Sequence, residues 1–389
     1  MPEYVAPGVF VEEVSFRSKS IEGVSTSTTA FVGPTLSGPT GSRPELLTSY
    51  GDFERIYGGS GDLAFSPHPN YVAHGARVYF AEGGKRLYVV RVAAAKKPPT
   101  QAGYRKALKL LASLPDVSIV AAPGHTAFPA ALATGIASQL VAHAEKLADR
   151  IAVLDVPAGR SVSDAQAYKA TIDSKYAALY YPWVVVANPA AGPGNPAAPA
   201  EITLPPSPFV CGIYARIDIE RGVFKAPANE PVRSALRFER AINDADQAIL
   251  NPLGVNCLRS FPGRGNLVWG ARTTSSDPEW KYVPVRRLFI YLEQSIAAGT
   301  QWAVFEPNGQ RLWDNVRATV EDFLYNEWRN GAILGTTPKE AYFVKCDRTT
   351  MTQDDLDNGR LICLVGVAPL KPAEFIIFRI GQWTADAKP

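Results

Sequence analysis

From residue 107 onward the sequence alternates between short apolar runs and longer helix-like segments, and this rhythm constrains the fold more than any other feature. The strand-like runs lie at residues 117–122, 150–156 and 183–187. The segments between them, residues 127–149 and 163–176, are predicted to be helices. Strand–helix–strand connections are right-handed and place consecutive strands in parallel. The sequence therefore predicts an α/β fold around a parallel sheet.

The C-terminal third has a mixed pattern that predicts an α+β unit. Helices are expected at residues 286–298 and 308–330, and strands at residues 341–346 and 361–367. An apolar run at residues 209–215 is interpreted as one more strand of the first unit. These patterns divide the chain into an N-terminal arm (residues 1–22), an α/β domain (residues 23–240), an α+β domain (residues 241–367) and a C-terminal arm (residues 368–389).

Both arms contain an alternating, strand-like segment set apart from the rest of the chain. The first comprises Val9, Phe10, Val11, Glu12, Glu13 and Val14, and the second comprises Glu374, Phe375, Ile376, Ile377, Phe378, Arg379 and Ile380. A polar stretch (residues 15–20) follows the first, and two prolines precede the second. A strand without a neighbouring hairpin partner pairs either with a distant part of its own sheet or with another chain.

Charge, hydropathy and cysteine usage exclude several classes of protein. The 40 Lys and Arg residues nearly balance 37 Asp and Glu residues, and a net charge of +3 is too small for a nucleic-acid coat. No run approaches the roughly 18 apolar residues of a membrane-spanning helix, and the first residues do not read as a secretory signal. The four cysteines form no CxxC pair, so we expect free thiols and folding in a reducing cytoplasm.

Motifs of enzyme chemistry are sparse. HExxH, GxSxG and Walker A sequences are absent, and the four histidines lack a metal-ligand spacing. The acidic stretch at residues 354–357 lacks the spacing of a calcium loop, and Gly263-Arg264-Gly265 lacks the third glycine of a dinucleotide fingerprint. We therefore expect no catalytic residue, no metal and no cofactor.

Asp155 is the one candidate for an enzymatic or ligand-binding role. It ends the apolar run at residues 150–156, at the carboxyl side of the predicted parallel sheet, where α/β folds bind ligands. One hypothesis is thus an α/β ligand-binding protein or hydrolase with a site near Asp155. The alternative interpretation of this residue is a loop cap beside Pro157.

Several motifs in a consistent order resemble the contractile tail sheath protein family, which includes the tail sheaths of contractile phages and of related injection systems. Near the N-terminus they are PGVFVEE (residues 7–13), IEGVSTS (residues 21–27) and AFVG (residues 30–33). Further on they are GVNxLR (residues 254–259), GxxxWGART (residues 265–273), VRRLF (residues 285–289), FEPN (residues 305–308) and PAEFI (residues 372–376). The resemblance covers both termini and most of residues 235–389.

The resemblance implies a non-enzymatic structural subunit that polymerises as stacked hexameric rings around an inner tube. In such an assembly the α+β domain would be the inner sheath core, and the α/β domain would lie outside it. The N-terminal and C-terminal strands would be exchanged with neighbouring subunits, with hinges at residues 15–20 and 368–371. The helix at residues 308–330 would face the inner tube through Asp314, Arg317 and Glu321.

The resemblance further implies a mechanical function. The extended sheath would be metastable, and its contraction would drive the tube through a target cell envelope without nucleotide hydrolysis. The implied partners are other copies of this chain, the inner tail tube protein, and baseplate and tail terminator proteins. Direct contact with nucleic acid and insertion into a membrane are not expected. Assembly would take place in the cytoplasm of a bacterial host, in a virion tail or a released contractile particle.

Overall fold

The computed structural model describes residues 20–92, 97–191, 195 and 198–378. Its strands are β1 (Thr29–Gly33), β2 (Leu46–Leu47), β3 (Leu87–Arg91), β4 (Ile119–Ala121), β5 (Ile151–Asp155), β6 (Ala177–Tyr181), β7 (Val184–Ala187), β8 (Glu201–Leu204), β9 (Glu230–Pro231), β10 (Arg237–Phe238), β11 (Val255–Phe261), β12 (Gly265–Val268), β13 (Tyr342–Lys345) and β14 (Leu364–Val367). Its helices are α1 (Tyr50–Tyr57), α2 (Tyr71–Ala81), α3 (Gln101–Leu111), α4 (Ala130–Leu147), α5 (Val162–Lys169), α6 (Ser207–Arg221), α7 (Asp244–Leu250), α8 (Val283–Gly299), α9 (Gln310–Arg329), α10 (Pro338–Ala341) and α11 (Gln353–Asp357).

A nine-stranded sheet in the order β2-β3-β1-β4-β5-β6-β11-β12-β9 forms the centre of the fold. The six strands from β3 to β11 pair in parallel, and the outer strands β2, β12 and β9 pair antiparallel. Helices α4 and α5 connect β4 to β5 and β5 to β6. The predicted α/β architecture is confirmed in this part of the chain.

Both faces of the central sheet are buried, as in other parallel sheets. Successive side chains of a strand point to opposite faces, so Phe31 of β1 lies in one apolar cluster and Ala30 and Val32 lie in another. The first cluster contains the apolar sides of α1, α2 and α6, and the second contains those of α3 and α4. The sheet is therefore the middle layer of three.

Two features of this region differ from the sequence predictions. Residues 209–215 belong to helix α6, not to a strand, and every residue of this helix from Ser207 to Ile217 is buried. The strand that continues the parallel sheet after β5 is β6, whereas β7 pairs antiparallel with β8 and β10 in a separate three-stranded sheet. The chain turns from β6 into β7 at Pro182. The prediction of a strand at residues 183–187 was right, but the prediction that this strand belongs to the parallel sheet was wrong.

Helix α6 lies directly against α2, and small residues permit the close approach. A β-carbon added to Gly212 would come within 2.6 Å of the Tyr79 carbonyl oxygen, a distance that real side chains do not tolerate. At the far end of α6, Arg216 donates to the carbonyl oxygen of Glu82 at 2.7 Å and lies 3.4 Å from the carboxylate of that residue. The first eleven residues of this helix, which are all buried, are thus held by backbone packing and one buried ion pair.

The central sheet continues past residue 241, where the sequence analysis began the second domain. Strands β11 and β12 lie beyond that residue, and β11 pairs in parallel with β6. A third apolar cluster gathers most of the buried side chains beyond residue 285, including those of α9. We call residues 20–282 the sheet unit and residues 283–378 the C-terminal unit.

A buried ion pair joins the two units. The guanidinium of Arg287 on α8 donates to both carboxylate oxygens of Asp218 on α6, at 2.8 and 2.6 Å, and to the carbonyl oxygen of Thr26 at 2.9 Å. The same guanidinium lies 4.8 Å from the ring centroid of Tyr214. Both charged side chains are about 96% enclosed, so the pair is shielded from solvent.

The C-terminal unit has the predicted α+β composition. Helices α8 and α9 confirm the two expected helices, and α9 ends before Gly331, whose φ of +78° is suited to a helix C-terminus. Strands β13 and β14 pair antiparallel over four residues each. The acidic segment between them forms the short helix α11, which begins with a capping box at Thr352 and Asp355.

Candidate functional site

The two-stranded ribbon of β13 and β14 has two open edges among the described residues. Each strand pairs there only with the other, over the register Tyr342–Val367 to Lys345–Leu364. Phe343, Leu364 and Val365 are exposed on it. An isolated pair of strands is marginal in water, and unpaired edge amides and carbonyls are ready to bind another strand. The ribbon is therefore the strongest candidate for a strand-binding site.

A groove of about 760 Å³ lies between helix α9 and the ribbon. Its lining includes Leu312, Val316 and Val320 on the apolar side of α9, and Val365 of β14. Residues 303–306 and Leu361 also line it. The groove thus offers an apolar surface that reaches the ribbon at β14.

Phe305 is the most exposed apolar residue of the loop at residues 303–306, which lines the groove. Its side chain is completely exposed, and its backbone has a φ of +69°. A left-handed conformation costs free energy for an aromatic residue, and such strain is typical of functional positions. Val304 beside it is 59% exposed. A strained loop that presents two apolar side chains to solvent is a further sign of a contact surface.

The C-terminal segment leaves the ribbon and is next held by the sheet unit. Both backbone groups of Ala368 are hydrogen-bonded. Its amide donates to the carbonyl oxygen of Ala341 at 2.8 Å, and its carbonyl oxygen accepts from the amide of Leu334 at 2.9 Å. Farther on, the carboxylate of Glu374 accepts bonds from Nε and Nη2 of Arg272, and from the Tyr282 hydroxyl at 3.1 Å. The chain is thus fixed at two points before residue 375.

Electrostatics favour the charged form of Glu374. Burial acts to raise the pKa of its carboxyl, but the hydrogen bonds and positive charge of Arg272 outweigh this, and the pKa lies below its ordinary value. The Arg272 side chain is only 6% exposed and also donates to the carbonyl oxygen of Asn251 at 2.9 Å. The C-terminal segment is therefore anchored by a charge pair that is largely shielded from solvent.

The predicted strand-exchange residues fall partly within the described chain. Val9, Phe10, Val11, Glu12, Glu13 and Val14 lie outside the described residues, as do Arg379 and Ile380. Phe375, Ile376, Ile377 and Phe378 are 72–82% exposed and belong to no strand within the described chain. Four consecutive exposed apolar side chains are unusual on a protein surface and mark an interaction segment. The pairing of both arms stays a prediction.

The predicted tube-contact residues lie on helix α9 as expected. Asp314 and Arg317 form an ion pair at 3.0 Å, with side chains 45% and 39% exposed. Glu321 follows one turn later and is half-buried. The more exposed positions of this helix are Arg311, Asn315, Ala318, Asp322, Tyr325, Asn326 and Arg329. The face that α9 presents to solvent is therefore polar, with the three predicted residues on its flank.

The opposite face of α9 is packed into the C-terminal unit. Trp313 donates to Asn308 at 2.8 Å, and Trp328 donates to the carbonyl oxygen of Gly335 at 2.9 Å. Glu327 accepts a hydrogen bond from the Tyr291 hydroxyl of α8 at 2.8 Å, and burial raises the pKa of this carboxyl. Both tryptophans thus serve the packing of the helix and not its exposed face.

Asp155 has a structural environment. It is completely buried, and its two carboxylate oxygens accept hydrogen bonds of 2.6 Å from the amide and hydroxyl of Ser207, the first residue of α6. Burial raises the pKa of Asp155 to about 7, although the two bonds from Ser207 act in the opposite direction. This arrangement holds the N-terminus of α6 against β5, so the environment of Asp155 is structural, but its partner is Ser207 and not the loop beside Pro157.

Of the other polar residues considered from the sequence, His125 is internal to the fold, whereas His68, Asp354 and Asp357 are exposed. His125 is buried, with Nδ1 2.9 Å from the carbonyl oxygen of Ala122, and burial lowers its pKa to about 4. Within the described ranges, no group of three His, Cys, Asp or Glu side chains is arranged to hold a metal ion. No helix among them has the length and hydropathy needed to cross a membrane.

Sequence reasoning missed two parts of this surface. Phe305, Glu306 and Asn308 line the groove and belong to the FEPN motif, which was noted without a role. The anchor at Glu374 joins residues 102 positions apart, and Arg272 was noted only as part of the GxxxWGART motif. A buried arginine and an acidic residue ahead of an apolar strand give no local signal of pairing.

Comparison with protein families covers most of the chain. Residues 99–274 match the central domain of phage tail sheath proteins, and residues 275–382 match the phage tail sheath C-terminal domain. A prophage major tail sheath protein of Pseudomonas aeruginosa (strain UCBPP-PA14) is 26% identical over 277 residues. That alignment covers 69% of this chain and 66% of the relative, so it spans slightly less than two thirds of the relative's length.

Solved structures resemble the whole fold. A chain of the anti-feeding prophage helical sheath in its contracted state is 30% identical, with a TM-score of 0.79 and coverage of 98% of this chain and 100% of the other. A chain of the six-fold symmetrised anti-feeding prophage baseplate is 29% identical, with a TM-score of 0.77 and coverage of 98% and 100%. The α/β sheet unit and the α+β C-terminal unit together are thus the fold of a sheath subunit, and this chain belongs to the phage tail sheath protein family.

Proposed function

We propose that this chain is the structural subunit of a contractile sheath, which assembles as stacked hexameric rings around an inner tube. The observation that carries this proposal is the open β13–β14 ribbon in a chain that matches a contracted sheath subunit over 98% of its length. Asp155, the residue on which an enzymatic function would depend, is buried and bonded to Ser207. This environment supports a structural role over a catalytic one.

Strand addition at the ribbon would link the subunits. Each edge of the ribbon would accept one strand, residues 9–14 from one neighbour and residues 375–380 from another. About four or five main-chain hydrogen bonds at ~0.5–1.5 kcal/mol each would be gained per strand. Burial of the alternating apolar side chains in the groove would add to this. Each open edge would then be covered, which resolves the weakness of a two-stranded ribbon.

The course of the C-terminal segment supports exchange between subunits over closure onto the same chain. After the bonds of Ala368, the segment runs to the sheet unit and is anchored there by Arg272 and Tyr282. Phe375 therefore starts from the sheet unit and not from the ribbon. A segment that leaves its own ribbon in this way is available to the ribbon of another copy.

The hydrogen bonds of Ala368 reduce the range of residues that can serve as the C-terminal hinge. The sequence placed the hinge at residues 368–371, but both backbone groups of Ala368 are hydrogen-bonded, and Pro369 forms a bridge with Ile333. Residues 370–373 have no such ties among the described residues. We therefore assign the bending to residues 370–373, between the two fixed points. Movement there would leave the exchanged strands paired while subunits rotate.

The proposed contact with the inner tube is the polar face of α9, with Asp314, Arg317 and Glu321 on its flank. Exposed charges give orientation and complementarity at a modest gain in affinity. A contact that must break during contraction is better served by such a face than by a large apolar one. The free energy for contraction would then be stored in contacts between subunits, and the sheath would relax from an extended to a more stable contracted packing.

The remaining assignments follow from membership in the family. The sheath would contact an inner tail tube protein, a baseplate protein and a tail terminator protein, and would act in a virion tail or a released contractile particle assembled in a bacterial host. The similarity to a chain of a six-fold symmetrised baseplate structure supports six-fold symmetry and a contact near the baseplate.

Electron microscopy of purified protein tests the proposal. The full chain should form rings or tubular sheaths, whereas variants that lack residues 1–14 or 373–389 should remain folded by circular dichroism and fail to polymerise. Normal sheaths from either truncated variant would contradict the exchange of strands. A small compact oligomer of the full chain at all concentrations would contradict the sheath assignment itself.

A pair of double variants makes the test residue-specific. Alternate residues of a strand face opposite sides, so Phe375→Lys/Ile377→Lys and Ile376→Lys/Phe378→Lys place the same two charges on opposite faces. The double variant whose lysines lie on the face that packs into the groove should abolish assembly. The double variant with lysines on the other face should weaken assembly less. Equal, wild-type assembly of both double variants would contradict the proposed docking.

A further inference from the structure

Two of the four cysteines lie beside each other at the end of the ribbon, although they are 17 positions apart in the sequence. Cys346 follows β13 directly, and Cys363 precedes β14 directly. The ladder pairs Lys345 with Leu364, so Cys346 and Cys363 are the next facing pair. Their side chains therefore point to the same face of the ribbon.

The hydrogen-bond pattern places this pair at a favourable position for a disulfide. The amide of Ala368 donates to the carbonyl oxygen of Ala341 at 2.8 Å, which marks that facing pair as hydrogen-bonded. Hydrogen-bonded and non-hydrogen-bonded pairs alternate along an antiparallel ladder, so the cysteine pair, five positions further, is non-hydrogen-bonded. Facing residues of that kind have Cα atoms about 4.5 Å apart, within the disulfide range of about 4.4–6.8 Å.

The two thiols are in contact and differ in their access to solvent. The two side chains lie close enough for each thiol to affect the pKa of the other. Cys346 is fully buried in the third apolar cluster, whereas Cys363 is half-buried and lines the groove. Cys363 is thus the sulfur that a small reagent in the groove can reach, whereas Cys346 is shielded from it.

We propose that Cys346 and Cys363 form a reversible intramolecular disulfide when the protein meets an oxidising medium. With glutathione disulfide as the oxidant, the Cys363 thiolate attacks one of its sulfurs and releases one glutathione. The Cys346 thiolate then attacks the Cys363 sulfur and releases the second glutathione. One protein S–S bond forms, one glutathione S–S bond breaks, and two electrons and the two thiol protons end on the two glutathione molecules.

The disulfide would close the segment between β13 and β14. That segment contains α11 and supplies Gly359 and Leu361 to the groove wall. Closing it fixes one wall of the groove and leaves both edges of the ribbon open. Burial acts to raise the pKa of both thiols, so the reaction is slow at neutral pH and faster in base. The protein thus folds with free thiols, and the disulfide forms later, outside the reducing cytoplasm.

Thiol counting and peptide mapping on the full chain test this inference. Protein prepared under reducing conditions is incubated with glutathione disulfide, its free thiols are alkylated with N-ethylmaleimide under denaturing conditions, and the products are analysed by mass spectrometry. The oxidised protein should carry two alkyl groups instead of four, with a cross-link between the peptides of Cys346 and Cys363. Its melting temperature should rise by a few degrees, and dithiothreitol should reverse both changes.

Single and matched variants keep the result interpretable. Cys363→Ala should retain all three thiols and show no change in melting temperature, whereas Cys211→Ala should still form the cross-link, because Cys211 lies in the buried helix α6. If Cys211→Ala does not fold, Cys257→Ala serves as the same control. Four alkylatable thiols after oxidation of the wild-type protein, or glutathione retained on Cys363, would overturn the proposal.

Discussion

Replacing Arg287 by methionine should separate the packing of α8 from its electrostatic tie to the sheet unit. Methionine keeps an apolar stem of similar length but removes three hydrogen bonds, two to Asp218 and one to the carbonyl oxygen of Thr26. Asp218 is 3% exposed and would be left buried without its cation. Loss of one partner of a buried pair typically costs ~3–5 kcal/mol, and we expect a loss in that range.

The same substitution should make stability depend on pH. Burial already raises the pKa of Asp218 against the opposing effect of Arg287, and without Arg287 the pKa of the folded state would rise further. A raised pKa gives stability that is complete below the pKa of the unfolded chain and is lost as the pH rises through the folded value. The free energy of unfolding of the variant should therefore fall as the pH rises above 3.8, the ordinary pKa of an aspartate.

Urea unfolding followed by tryptophan fluorescence measures both effects. Arg360→Met is the matched control, because Arg360 pairs with Asp354 while both side chains are more than half exposed. That variant should lose less than ~1 kcal/mol, without the same pH dependence. A loss from Arg287→Met no larger than that of the control, or stability of Arg287→Met that does not fall as the pH rises, would refute the reasoning.

Three further predictions concern Glu374, Asp155 and helix α9. The pKa of the Glu374 carboxyl is depressed, so its anchoring bonds should be complete above its ordinary pKa of 4.5 and should fail in stronger acid, where the C-terminal segment should be cleaved faster by a protease. Glu374→Gln should show this faster proteolysis already at neutral pH. Equal cleavage rates of the variant and the wild-type protein would contradict this. Because the pKa of Asp155 is raised to about 7, wild-type stability should decline by up to ~4 kcal/mol from about pH 4 to about pH 7 in thermal melts, and Asp155→Asn should reduce that slope; an unchanged slope would contradict it. Leu324→Ala in the core of the C-terminal unit should lower the free energy of unfolding by ~2–5 kcal/mol in urea. Asp314→Ala on the exposed flank of α9 should lower it by less than ~1 kcal/mol, yet weaken binding to the tube in co-sedimentation. Co-sedimentation of Asp314→Ala at the wild-type level would contradict the proposed tube face.

Local periodicity was sufficient to predict the α/β architecture and the two long C-terminal helices. Helix α9 was predictable because one of its faces is buried and the other is exposed, which gives the 3.6-residue pattern. Strands β4 and β5 were predictable because they are fully buried and short. In these elements local sequence and tertiary burial point to the same structure.

Helix α6 was not predictable by the same reasoning. Its first eleven residues are buried on every side, so no polar face interrupts the apolar run that begins at Phe209. A short apolar run of that kind occurs both in buried strands and in buried helices, so the pattern does not distinguish them. Its environment, with the α2 backbone close to Gly212, exists only after the chain has folded.

The candidate site depends on contacts between distant segments. The sequence predicted the apolar C-terminal strand but not its anchor, because Arg272 and Glu374 come together only through the packing of the two units. The pairing of Cys346 with Cys363 similarly requires the register of β13 and β14, which no spacing in the sequence specifies. Single residues could be nominated from the sequence, whereas their partners required the structure.

A cryo-EM reconstruction of the polymer formed by the full chain tests the central claim most directly. We expect six subunits per ring, with residues 9–14 of one neighbour and residues 375–380 of another paired to the two edges of the β13–β14 ribbon. We expect the side chain of Phe305 to be covered by a neighbouring subunit. A polymer in which both terminal segments pair within their own subunit, or in which the ribbon edges remain open, would contradict the account.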